Sequence, residues 1–222
     1  MTAAEIIYRI LTQIKSGNLS DDFSLSDDLI FNQICSVRSR LIRQERSAGK
    51  WTSSLYVQDL GSIELQLANK HDLCAVDTRD CPVLRSVLEL PKAVDTATND
   101  MYTFVGTLDG ISFERTTSGA SRYMQHSKFT GKKPKYYFIG NYLYVVNPST
   151  NLLKYINVQG VFENTLEAES FKKCGGANCF NSYDFEMPIS STIVDTLVQL
   201  VITEIRGSRI LPSDNTNDSK DD

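Results

Sequence analysis

The spacing of apolar positions changes period twice along this chain: it is helical at both ends and alternating between them. Residues 3 to 16 set Ile6, Ile7, Ile10, Leu11 and Ile14 at i, i+3, i+4 spacing, and Gly17-Asn18 ends the run, which predicts an amphipathic helix. A polar loop, Ser20 to Ser26, follows. Ser26 is placed to cap a second helix whose first turn carries Asp27 and Asp28, favourable at the positive end of a helix dipole. Its apolar face runs Ile30, Ile34, Val37, Leu41, with Phe31, Cys35 and Ile42 beside it, and it ends near Ala48-Gly49. A last helix is predicted over Pro188 to Gly207, with Ser190 as cap, Ile189 and Val194 as a hydrophobic staple and Gly207 as the stop.

That last helix is apolar around most of its circumference. Ile193, Val194, Leu197, Val198, Leu200, Val201, Ile202 and Ile205 leave only a thin stripe of Asp195, Gln199, Thr203 and Arg206. It is too short and too charged to span a membrane. Two readings follow. It is a central core helix covered by its own subunit, or it divides its surface between that core and a neighbouring copy, making Leu197, Val198, Leu200, Val201 and Ile202 an oligomer interface.

Between the helices, from Trp51 to Phe162, short alternating runs separated by turn residues predict a sheet region. SIELQLA (62–68) and VLRSVLELP (83–91) are candidate strands flanking a polar loop. YTFVGTL and ISFERTT are expected to meet at Asp109-Gly110, and YYFI and YLYVV at Gly140-Asn141, both as two-residue hairpins. LLKYINVQGVF then reads as the third strand of a meander from Tyr136 to Phe162. Tyr136, Tyr137, Tyr142, Tyr144 and Tyr155 read as cross-strand packing. Short helices are expected at a start capped by Ser118 and over Glu163 to Lys173. The result is an α+β fold. A helical domain formed by 1–50 and 186–210 packs its N- and C-terminal helices together, an antiparallel β-rich region of hairpins (51–185) is inserted between them, and an acidic tail (211–222) is expected to be disordered.

Composition narrows the class without naming a reaction. With 222 residues, 41% hydrophobic, 23% charged and a net charge of −4, the chain is an ordinary globular protein, and coating of nucleic acid is disfavoured. The first seventeen residues carry Glu5 and Arg9 inside their apolar pattern and no cleavage signature, so they do not read as a secretory signal. The side of the second helix away from its apolar face is basic, with Arg38, Arg40, Arg43 and Arg46. These arginines are either a solvated, dipole-matched face or a docking surface. No aromatic interleaving or glycine-rich phosphate loop accompanies them, so a nucleic-acid groove is the less favoured kind of docking.

Five cysteines, Cys35, Cys74, Cys81, Cys174 and Cys179, are expected to be reduced thiols. His71 with Cys74 and Cys174 with Cys179 hint at a zinc site, but the spacing of Cys74 and Cys81 does not fit a zinc knuckle, and ordinary cysteines are the favoured reading. Asp72, Asp77 and Asp80 lack the regular spacing of a calcium loop. His126 has no paired nucleophile. No Ser/Cys-His-acid set, H-E-x-x-H, G-x-G-x-x-G or P-loop is present, so the chain reads as non-enzymatic, with no cofactor.

The order of segments, in particular LSDDLIFNQICSVRSRLIRQE, LRSVLELPKAV, KPKYYFIGNYLYVV, NVQGVFE and DFEMPISSTIVDTLVQLVITEI, resembles the structural ring proteins of crAss-like tailed bacteriophages over nearly the whole chain. The resemblance implies a virion protein of the head-to-tail connector. It would form a homo-oligomeric ring, twelvefold by analogy with portals, stacked on the portal protein, with another ring or tail protein on its far side and DNA passing through without sequence-specific binding. It also implies virion localisation, with host cytoplasm during assembly. The alternatives are another tail-side ring or fibre-attachment adaptor, and a small zinc-binding or enzymatic phage protein.

Overall fold

Thr2 and Glu5 open the first helix as a reciprocal cap: the Thr2 amide donates to the Glu5 carboxylate at 2.8 Å and the Glu5 amide to the Thr2 hydroxyl at 3.2 Å. The computed structural model describes residues 1–15, 25–49, 53–68, 83–95, 101–120, 133–146, 153–174 and 183–208. They form an α+β fold with helices at both ends and a curled mixed sheet between them. The helices are α1 (Ala3–Lys15), α2 (Asp27–Ser47), α3 (Thr165–Cys174) and α4 (Ser191–Ser208), with a 3-10 turn at Ser54–Tyr56. Ser26 caps α2 as expected, its hydroxyl accepting from the Leu29 amide at 3.3 Å. Asn164 does the same for α3, accepting from the Leu166 and Glu167 amides.

One apolar core lies among the terminal helices. Ile6, Ile7, Ile10 and Ile14 of α1 meet Ile30, Ile34 and Val37 of α2 and Val194, Leu197, Val198, Val201, Ile202 and Ile205 of α4. Each such side chain taken fully out of water contributes about 1.5–3 kcal/mol. Phe185 and Met187, on the approach to α4, join the same core, and amides of Ala3 and Ala4 bond the carbonyls of Phe185 and Tyr183.

The sheet holds seven strands in the order β3-β7-β1-β2-β6-β5-β4. They are β1 (Gln58–Leu67), β2 (Val83–Ser86), β3 (Tyr102–Gly106), β4 (Glu114–Arg115), β5 (Lys135–Ile139), β6 (Tyr142–Val146) and β7 (Tyr155–Gly160). Every pair is antiparallel except β4 with β5. β1 joins two halves, its first part pairing with β7 and its last residues with β2, with a bulge between Asp59 and Ser62. The inner face packs Leu60, Ile63, Leu65, Val105, Leu143, Val145, Ile156 and Val158, and Ala168 and Phe171 of α3 close it. Tyr102 of β3 stacks on Phe138 of β5 with centroids 4.4 Å apart, although four strands separate them in the sheet order. The sheet therefore curls until its far sides touch.

The β3–β4 connection completes that curl and differs from expectation. It is a three-residue turn, Leu108-Asp109-Gly110: the Gly110 amide donates to the Thr107 carbonyl at 3.1 Å, and the Thr107 amide to the Ile111 carbonyl at 2.9 Å. Gly110 takes φ +87°, and Gly106 lies so close that a Cβ there would fall on the Ile111 carbonyl. Past the turn the Phe113 amide still bonds Val105, but Glu114 and Arg115 leave to pair with β5.

The second hairpin is as expected, with Ile139 opposite Tyr142 across Gly140-Asn141. The three-stranded meander is not formed. β7 lies between β3 and β1, so the chain crosses two strands after β6 instead of pairing with it. β1 begins four residues earlier than expected, β2 stops at Ser86, and the helical turn at 118–120 is capped by Thr117, whose hydroxyl accepts from the Ala120 amide, instead of by Ser118. A smaller cluster, Ile42, Tyr56, Val94, Met101 and Val161 with Ile189 and Ile193 against it, joins helices to sheet.

Candidate assembly surface

The four arginines of α2 do not share one surface. Arg38 is wholly buried and donates to three main-chain carbonyls: Nε to Pro188 at 2.9 Å, Nη1 to Phe162 at 2.9 Å and Nη2 to Tyr56 at 3.2 Å. Its place on α2 puts it opposite the exposed side, so it is corrected from docking residue to interior anchor. Burial lowers its pKa to about 10, which still leaves it charged at neutral pH. Arg40 pairs with Glu204 of α4 at 2.5 Å, and Glu204 also accepts from Gln33. Arg43 reaches Asp95 at 3.1 Å and Glu163 at 2.5 Å, and Lys92 also meets Glu163 at 3.1 Å. Arg46 stands exposed at the end of the helix. Half-exposed pairs of this kind each contribute about 0–1 kcal/mol, so they orient α2 against α4 and the sheet more than they hold it there.

Beside α2, Asn32, Cys35, Ser36, Ser39, Arg43 and Glu163 line an open pocket of about 260 Å3. The hydroxyl of Ser39 is buried without a protein partner. Burial raises the pKa of the Cys35 thiol, and Thr165 lies 3.7 Å from its sulfur. A protonated, enclosed thiol is the opposite of what a nucleophile needs.

On α4 the structure corrects the expected interface residue by residue. Leu197, Val198 and Val201 have no exposed surface and Ile202 retains 6%, all within the helical core of one subunit. Leu200 alone of the five is half-exposed. The helix is so apolar because α1, α2 and the junction cluster cover it from three directions, and its own subunit has room for all but Leu200. What faces outward is the stripe Thr192, Asp195, Thr196, Gln199, Thr203 and Arg206, with the half-exposed Leu200 at its margin. Thr203 bonds its hydroxyl to the Gln199 carbonyl at 2.8 Å, and on neighbouring α1 Thr12 does the same with Tyr8. Those hydroxyls need nothing from outside. Tyr8 itself is 73% exposed. Arg9 of α1 pairs with Asp195 of α4 at 2.7 Å at the side of this surface. The stripe carries two charges, Asp195, which is paired to α1, and Arg206; its remaining members are threonines and a glutamine, and the tyrosine projecting beside it is of the kind enriched in protein contacts.

A second exposed apolar surface lies on the sheet. Leu67, Leu108, Ile111 and Tyr155 stand exposed, and all lie at the same end of the adjacent strands β3, β7 and β1, the end away from the helices. Of the expected tyrosine contacts, Tyr137 and Tyr144 stack across strands at 5.3 Å and Tyr142 takes Arg85 over its ring at 4.6 Å, as cross-strand packing requires.

His71, Cys74, Cys81, Cys179, His126, the three acids of the Asp72–Asp80 loop and the acidic tail lie outside the described residues, as does the side chain of Cys174. Among the described residues there is no cluster of three metal-ligating side chains, and no helix is long and apolar enough to cross a membrane.

The family whose description reads phage tail ring protein 2 matches residues 5–222. Ring protein 2 of Bacteroides phage crAss001 is 27% identical over 228 residues, covering 100% of this chain and 98% of that protein.

Proposed function

The chain belongs to the phage tail ring protein 2 family, and from that premise we propose that it is a structural component of the virion which closes into a homo-oligomeric ring in the head-to-tail connector. The ring stacks on the portal protein, carries the next ring or tail protein on its other side, and surrounds the path of the exiting DNA without reading its sequence. By analogy with portals it contains about twelve copies. The observation that carries the reading is the end-to-end family match.

Copies in a ring meet through two different surfaces. The threonine-rich outer stripe of α4 with Tyr8 supports one, and the apolar end of the sheet around Leu108, Ile111 and Tyr155 supports the other. Arg40 and Arg46, with the half-exposed Arg43, remain as a docking surface toward an adjoining ring, where charges set orientation more than affinity. A position on the tail side, away from the portal, is the second reading, favoured by the family's description as a tail ring.

Native mass spectrometry of the purified chain, alone and with portal protein, tests both. A single closed oligomer that binds portal fits the connector. A closed oligomer that ignores portal and binds a tail component fits the second reading. A strict monomer at every concentration, with or without portal, overturns both.

A further inference from the structure

Arg38 does more than fill the core. The three carbonyls it holds belong to three segments far apart in the chain: Tyr56 stands on the way from α2 into β1, Phe162 between β7 and α3, and Pro188 on the approach to α4. The two layers also meet through the small cluster of Ile42, Tyr56, Val94, Met101 and Val161, which is non-directional and does little to fix a rotation, and through the bonds of Arg43 to Asp95 and Glu163, which are directional but half-exposed and screened by solvent. Three hydrogen bonds from one planar guanidinium do fix the rotation, because the fork presents its donors in a rigid geometry. A lysine in the same place has the charge without the fork.

We infer that Arg38 is a positioning residue that sets the angle between the helical layer and the sheet, and through that angle the number of copies that close the ring. The second half rests on the ring reading above. In a cyclic assembly each copy is rotated against the next by a fixed amount, about 30° for twelve copies and about 33° for eleven. With one contact surface on α4 and the other on the sheet, a change of about 3° between the layers is enough to change the count. No side chain at either surface needs to alter.

The test compares the wild-type chain with Arg38→Lys and Arg38→Met. By hydrogen exchange, amides of residues 53–57, 161–164, 186, 187, 189 and 190 should exchange about tenfold faster in both variants, while the interiors of α1 and α4 and the β5–β6 hairpin keep their protection. By mass measurement of assembled rings, the wild type should give one copy number and the variants a spread of neighbouring ones. Uniform acceleration throughout the variant chains, or an unchanged single copy number in rings whose three segments have loosened, overturns the inference. A wild-type chain that forms no ring defeats the ring reading instead, and the exchange pattern then decides the layer-angle half alone. Should neither variant fold, nitrogen NMR of the wild type decides it: the guanidinium protons of Arg38 should exchange slowly, and fast exchange typical of an exposed arginine sinks the proposal.

Discussion

Replacing Leu197 by alanine separates a core helix from an interface helix. Leu197 has no exposed surface and lies in the cluster shared by α1, α2 and α4. Leu197→Ala removes most of a buried side chain and leaves a cavity whose walls, on three helices, are themselves tightly packed, which costs about 2–5 kcal/mol, with about 3 kcal/mol as the central expectation. With a urea dependence of about 3 kcal/mol per molar for a chain of this size, the unfolding midpoint should fall by about 1 M. The assay is urea unfolding followed by far-ultraviolet circular dichroism at two protein concentrations a hundredfold apart. Because the side chain is covered by its own subunit, the shift should be the same at both; a residue covered by another copy would show a loss that depends on concentration. Thr203→Glu is the counterpart. Thr203 is exposed, so folding should change by less than about 0.5 kcal/mol while assembly is lost. A Leu197→Ala loss below about 1 kcal/mol in dilute protein, or one that varies with concentration, refutes the placement of α4.

Three further outcomes follow from local geometry. Gly106→Ala should lower stability by about 1–3 kcal/mol, read as a fall in Tm of several degrees, because the added Cβ meets the Ile111 carbonyl. Ser26→Ala removes the cap of α2 and should cost about 1 kcal/mol in urea unfolding, with unchanged ring mass. The hydroxyl of Tyr56 is pushed up to about 12, first by burial and then by its bond to Glu45, and that of Tyr183 likewise by burial and Asp28. Both stay protonated in the folded chain after the unfolded chain has begun to ionise near 10, so their stabilisation is complete below pH 10 and lost as pH rises toward 12. Melting curves between pH 8 and about 12 should therefore fall less steeply for Tyr56→Phe than for the wild type, and equal slopes would refute the assignment.

Much of the architecture was legible because the period of the apolar positions is set by local backbone geometry. The isoleucines of α1, the Ser26 cap and the Gly140-Asn141 turn all act between residues a few positions apart, and each stands where its spacing indicated. What escaped was long-range. The order of residues around β6 and β7 says nothing about β1 and β2 coming between them, because pairing between strands remote in sequence is decided by tertiary packing. Gly110 signalled a turn, but whether two or three residues close it depends on the departure of Glu114 toward β5. Arg38, Arg40, Arg43 and Arg46 read alike as basic residues, yet the rotation of α2 against the junction carries the first inside while leaving the last in water. The apolar count of α4 was read correctly. The error lay in counting its neighbours: a helix touched by α1, α2 and the junction cluster can be apolar on three sides and still belong to a single subunit. The outward stripe of α4 was legible as well: Asp195, Gln199, Thr203 and Arg206 all stand exposed.

A sheet whose outermost strands are tied to one another by a three-residue turn gives strangers a shorter ladder to climb. Part of the outer edge of β3 is taken by its own chain, the Phe113 amide on the Val105 carbonyl and the Thr107 amide on the Ile111 carbonyl, which leaves a newcomer fewer main-chain groups with which to extend the sheet. Contacts with other chains then rest more on side chains, which are selective.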